Sequence, residues 1–172
     1  MNDIALTKAQ LRAEILLARK TSQVSEQQKL DLTKNILSLV DRLGPTRVAI
    51  YSSYPSEPDT HLAITGLISK GIPVLVPETL TDGLLDWHAI GSETSVELEA
   101  TDLLLIPALA VDLLGNRLGR GKGYFDKELA KSSVSKVYAV VFESEVIREV
   151  SVEAHDRQVS GVVTEVAIRD LN

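Results

Sequence analysis

The twelve residues from Gly115 to Asp126, GNRLGRGKGYFD, hold four glycines, two arginines, one lysine and one aspartate. Glycines let main-chain N–H groups approach a ligand closely, and Arg117, Arg120 and Lys122 supply positive charge, so the cheapest chemistry for the stretch is a phosphate cradle. The spacing excludes the two common phosphate loops. Gly119, Gly121 and Gly123 alternate and run into Tyr124 and Phe125, whereas a dinucleotide fingerprint needs its third glycine after two spacers. Lys122 is followed by Gly123 instead of Ser or Thr, which rules out the P-loop. The competing reading is a solvated surface loop. Three cations among four glycines make it the weaker account. Asp126 is either a ligand for a hard cation or a first-turn carboxylate that a helix start favours anyway. Glu57, between Pro55 and Pro58, is a solvated acid or a charged acceptor in a loop that two prolines stiffen.

These residues need elements to hold them. Thr7 with Gln10 has the capping-box spacing, and Leu11, Ile15 and Ala18 predict an apolar face on a helix that ends near Lys20. Ser25 with Gln28 repeats the signal, opening a helix with Leu32, Ile36, Leu39 and Leu43 on one stripe until Gly44 and Pro45 stop it. Strands are predicted at 47–51, 72–77, 103–107, 136–142 and 161–165, with helices at about 60–71 and 123–131 between them and an edge strand at 84–90. Short, wholly apolar strands alternating with helices make an α/β protein with a mostly parallel sheet covered on both faces. Ligands of such sheets bind beyond the carboxyl ends of the strands, where SSYPSEPDT, the glycine-rich stretch and EAHD all fall. A helix starting near Gly123 would also aim its free N–H groups there.

Composition narrows the class. The 172 residues are 44% hydrophobic, enough for one well-buried core and short for two, so one domain over 1–172 is expected. A net charge of −6 argues against nucleic-acid and membrane-surface partners and makes the basic cluster a local device for a small anion. With no cysteine there is no disulfide framework, thiolate metal site or cysteine nucleophile. No signal-peptide core or membrane-spanning run is visible, so a cytoplasmic protein is expected.

The run DLLLIPALAVDLLGNRLGRGKGYFDKEL, with YSSYPSEPDT before it and EAHDRQVSGVVTE after it, resembles the 5-formyltetrahydrofolate cyclo-ligase family. The likeness extends from KAQLR at 8–12 to VVTE at 162–165. It implies a Rossmann-like, three-layer αβα domain, monomeric, that uses ATP and magnesium to convert 5-formyltetrahydrofolate to 5,10-methenyltetrahydrofolate. By the same likeness Arg117, Leu118, Gly119, Arg120, Gly121, Lys122, Gly123, Tyr124 and Phe125 surround the ATP phosphates, joined by Lys8 and Arg12, which residue type alone would make ordinary surface charges one helical turn apart. Arg120, Gly121, Lys122, Gly123 and Tyr124 also face the formyl end of the folate, with Lys122, Arg120 and Tyr124 in the catalytic roles. Glu57 corresponds to the substrate-binding glutamate, and Asp126 and Asp156 to magnesium ligands. Tyr51, Tyr54 and Trp87 offer ring faces to pterin or adenine, with core packing as the alternative. The chain departs from the family where GSETSVELEA lacks a Glu-Pro pair, at Val111, at Ser151 and at Phe125, none of which removes a phosphate or metal group. A non-catalytic sugar-phosphate or nucleotide sensor, or a phosphotransferase for another small substrate, are the alternative readings.

Overall fold

The apolar runs form the middle of a sheet in the computed structural model, which describes residues 3–154 and 156–171, with side chains from Lys8 onward. The elements are α1 (Asp3–Thr21), α2 (Glu26–Leu43), β1 (Val48–Ile50), α3 (His61–Ser69), β2 (Val74–Thr79), β3 (Leu85–Ala89), β4 (Ser95–Val96), β5 (Leu103–Pro107), β6 (Ala110–Asp112), β7 (Arg117–Leu118), α4 (Tyr124–Lys131), β8 (Lys136–Val140), a 3-10 turn at Glu143–Glu145, β9 (Val146–Ile147), β10 (Gly161–Val163) and β11 (Ile168–Asp170). Eight strands make one sheet in the order β11-β10-β8-β5-β1-β2-β3-β4. The central five, β10 to β2, are parallel; β11 and β3 run antiparallel to them on either side, and β4 pairs antiparallel with β3.

Period-two side-chain alternation sends the apolar strands to both faces. Val48, Ile50, Leu103, Leu105 and Val140 pack under Leu32, Ile36 and Leu39 of α2 and Ala63 and Leu67 of α3. Ala49, Leu104, Ile106 and Ala139 face the other way, against Trp87, Leu98 and the Tyr124, Phe125 and Leu129 side chains of α4. That sandwich is the expected three-layer α/β arrangement. Both α2 ends are as predicted: Ser25 and Gln28 form a reciprocal capping box, and Gly44 closes the helix at φ +56°.

Several expectations are corrected. The 84–90 segment is a strand but lies inside the edge, paired on one side to β2 and on the other to β4. A second sheet, β7-β6-β9, follows β5 and was not predicted, because its strands are only two or three residues long. Helix α1 begins at Asp3, so Thr7 lies inside it and does not start it. Its inward stripe runs through the half-buried Leu11 and Ile15 to the buried Arg19 at steps of four, leaving Ala18 exposed, and the two apolar residues pack on the cluster of Leu109, Leu118 and Val150. His155 lies outside the described residues. No helix among the described residues is long and apolar enough to cross a membrane.

Candidate active site

The strand order reverses at β1: the chain goes to β2 on one side and to β5 on the other. Loops leaving the carboxyl ends of β1 and β5 therefore diverge and open a crevice. A cleft of about 650 Å³ lies there, and Lys8, Arg12, Glu57, Asp156 and every residue from Arg117 to Asp126 line it. Four segments spread over the chain are thus brought to one cavity.

The cradle is a strand, a glycine loop and a helix start in succession. Gly121 and Gly123 adopt φ of +93° and +70°, in the left-handed region that favours glycine, which turns the loop over sharply. Gly123 is the N-cap of α4 and no side chain caps that end. The first N–H groups of α4 are left for an acceptor in the cleft, and the helix dipole favours an anion there. Lys122 extends its ammonium over the Tyr124 ring, 5.7 Å from the centroid, and Arg12 Nε donates to the Gly119 carbonyl at 2.9 Å, pinning the loop to α1.

Three residues are placed otherwise than their type suggested. Arg117 is not a loop cation: it sits in β7, buried, and its guanidinium bonds the Asp126 carboxylate. Its Nε is buried with no hydrogen-bond partner among the described residues. Lys8 is only 6% exposed and is no ordinary surface charge. Its Nζ lies 2.6 Å from Asp156 Oδ2 and 3.3 Å from Glu153 Oε2. Glu57 is a buried acid: Oε2 accepts the Tyr54 N–H at 2.9 Å, and Oε1 lies 3.2 Å from Arg120 Nε.

The two proposed metal carboxylates are each paired to a cation, and each lines the cleft. Asp126 is 28% exposed there, with Oδ1 on Arg117. No group of three or more Asp, Glu, His or Cys among the described residues makes a self-sufficient metal centre. Isolated carboxylates beside an anion cradle fit a magnesium ion that takes one or two carboxylates and draws its other oxygens from nucleotide and water.

Of the aromatic residues, Tyr51 and Tyr54 line the cleft and Trp87 does not. Trp87 is 2% exposed in the core and offers no ring face to a ligand. The Tyr51 hydroxyl donates to the Pro58 carbonyl, and burial pushes it well above the ordinary phenol range, so it stays a neutral donor fixing the loop.

Sequence reasoning missed the groups that hold the cradle from behind. Asp112 is fully buried and accepts four hydrogen bonds, from the Leu114, Asn116 and Val150 N–H groups and from Asn116 Nδ2, at 2.9–3.0 Å. It ties the β6–β7 hairpin to the segment that leads to Glu153 and Asp156. The signal was present in DLLGN, an acid able to bond its own backbone two residues on, followed by a turn glycine. Arg19 forms a buried pair with Glu145 and donates to the Ala108 carbonyl, and nothing local in the sequence announces that long-range contact.

Residues 91–165 match the profile of the 5-formyltetrahydrofolate cyclo-ligase family. A 5-formyltetrahydrofolate cyclo-ligase of Mycolicibacterium smegmatis is 30% identical over 92% of this chain and 93% of its own length. One of Mus musculus is 28% identical at the same coverage. Among solved structures, the 5,10-methenyltetrahydrofolate synthetase of Aquifex aeolicus superposes with a TM-score of 0.78 at 24% identity, covering 96% of this chain and 93% of that one. The Mycoplasma pneumoniae synthetase gives 0.79 at 20% identity, covering 92% and 98%. At those identities the structural matches speak for the fold.

Proposed function

The chain belongs to the 5-formyltetrahydrofolate cyclo-ligase family, and from that premise we propose that it converts 5-formyltetrahydrofolate to 5,10-methenyltetrahydrofolate with consumption of ATP. The observation that carries the reading is the convergence of Lys8, Arg12, Glu57, the Arg117–Asp126 stretch and Asp156 on one cleft.

The chemistry accounts for the residue types. A formyl amide oxygen leaves poorly, so N10 of the folate cannot expel it unaided. Transfer of the γ-phosphoryl group of ATP to that oxygen makes a phosphorylated imidate. N10 then closes the five-membered ring, loses its proton, and the oxygen departs as inorganic phosphate. Phosphoryl transfer depends on positioning and charge neutralisation more than on covalent help. Lys122, the uncapped α4 N-terminus and Arg12 hold the phosphates; Arg120 and Tyr124 lie toward the formyl end; Glu57 accepts the pterin N–H groups. Asp126 and Asp156 would hold magnesium, which neutralises phosphate charge when bound. Arg117 and Lys8 pair with those carboxylates and hold them at the cleft wall. Because the site draws on residues from Lys8 to Asp156, residues 1–172 are taken as one catalytic domain acting as a monomer.

Incubation with ATP, magnesium and 5-formyltetrahydrofolate, followed by the absorbance of methenyltetrahydrofolate, tests the reading. Product is expected only with all three components. Nucleotide binding by a folded protein with no product would favour a sensor, and ATP consumption with no folate product another phosphotransferase.

A further inference from the structure

We propose that Arg120 and Glu57 form a latch that couples the folate and ATP sites, each ligand taking one partner of the pair away from the other. The inference rests on the function proposed above and adds to it a cooperative binding step.

Glu57 and Arg120 lie on opposite sides of the cleft, in the loop after β1 and in the glycine loop. The Arg120 side chain crosses between them: its Nε is 3.2 Å from Glu57 Oε1, and its Nη2 donates to Ser56 Oγ at 3.2 Å. The Glu57 side chain is 5% exposed, so its carboxylate needs a donor or a cation at Oε1 once Oε2 is taken by the Tyr54 N–H. The ring of a pterin carries an N–H and an amino group on one carbon, a two-donor fork of the same shape as a guanidinium. Pterin and Arg120 therefore compete for one oxygen.

Arg120 is built to let go. Its side chain is 42% exposed, so water can take up the charge during exchange. Gly119 and Gly121 flank it, the latter at φ +93°, which makes the backbone on both sides a pivot. Freed from Glu57, the guanidinium stands in the loop that already holds Lys122 and the α4 N-terminus, where phosphate is its natural acceptor. ATP favours the open pair because it binds Arg120, and folate favours it because it binds Glu57. Two ligands that favour the same arrangement strengthen each other, and linkage makes the factor equal in both directions. The consequence is that the phosphate grip becomes complete only when a folate is in place to accept the phosphoryl group.

Calorimetric titration of the full chain with a non-hydrolysable ATP analogue and magnesium, with and without saturating 5-formyltetrahydrofolate, reads the coupling. Wild type is expected to bind the analogue about 5- to 50-fold more tightly with folate present, and folate more tightly by the same factor with the analogue present. Glu57→Gln is expected to bind folate more weakly but to bind the analogue alone more tightly than wild type does, with the coupling factor near one. Arg120→Gln also brings the factor near one. Wild type that binds both ligands with no coupling overturns the latch and leaves the enzymatic reading standing; wild type that binds neither overturns both. A folded Glu57→Gln protein that binds the analogue more weakly than wild type would make Glu57 a prop of the cradle and sink the latch. The wild-type titrations decide the question even if a variant fails to fold.

Discussion

At the scale of single residues, the cleft separates cations that line it without a carboxylate partner among the described residues from cations paired to a carboxylate. Lys122 is of the first kind, lying over Tyr124 at the cleft wall. Lys122→Ala is expected to cut kcat/KM by about two to three decades, since one charge-assisted phosphate contact where charge develops contributes roughly 2–4 kcal/mol. Near-normal turnover in a folded protein would remove Lys122 from the mechanism. Arg117 is of the second kind, and its partner Asp126 thereby has two duties. Asp126→Asn is expected to raise the magnesium concentration for half-maximal activity and also to lower stability by about 1–3 kcal/mol, because the buried guanidinium loses its charged acceptor. A magnesium profile like that of wild type, with only the stability loss, would leave Asp126 as a structural partner of Arg117.

At the scale of elements, α1 is a lever held at its far end. Lys8 and Arg12 sit on its cleft side, and Arg19 anchors it through Glu145 and the Ala108 carbonyl just beyond β5. Arg19→Met leaves Glu145 buried without its cation, so a stability loss of about 3–5 kcal/mol is expected, visible as a lowered Tm. The ATP analogue should bind more weakly in the same variant, since Lys8 and Arg12 move with the helix, while 5-formyltetrahydrofolate binding changes less. Equal weakening of both ligands would mean the whole cleft had loosened. The helix itself was readable from its apolar spacing. Its docking was not, because the third inward position, expected at Ala18, is taken by an arginine whose partner lies 126 positions away.

At the scale of the whole molecule, the far edge of the sheet is fastened to α2 by Arg42, which holds Asp170 of β11 through two hydrogen bonds, with the Tyr138 hydroxyl as a third donor. The Arg42 hydrogen bonds first, then that of Tyr138, keep Asp170 down at about 2. A carboxylate depressed in the folded state contributes stability above its unfolded value near 3.9, and that contribution is lost as pH falls toward 2. Burial first, then the bond to Asp170, raises Tyr138 from 10.0 to about 12, so its share is present below pH 10 and is lost as pH rises toward 12. Both Arg42 and Asp170 are about half exposed, so solvent screening keeps the effect small. Urea unfolding of Asp170→Asn against wild type is expected to give a shallower fall in stability between pH 4 and 2; parallel curves would show that other acids carry the acid limb. The sequence by itself determined the parallel core, the α2 caps, the strand at 103–107 and the glycine loop that opens α4, because each rests on local spacing: alternating buried faces, a capping box, glycines at left-handed turns. Only the tertiary structure decided that Lys8 is buried on Asp156, that Arg117 pairs with Asp126, that Asp112 fastens two loops, and that Arg120 reaches Glu57. The physical reason is that an ionised side chain carries no record of its partner in its own neighbourhood. Which opposite charge it meets is set by where the strand order reverses and the loops diverge, and that is a property of the folded sheet.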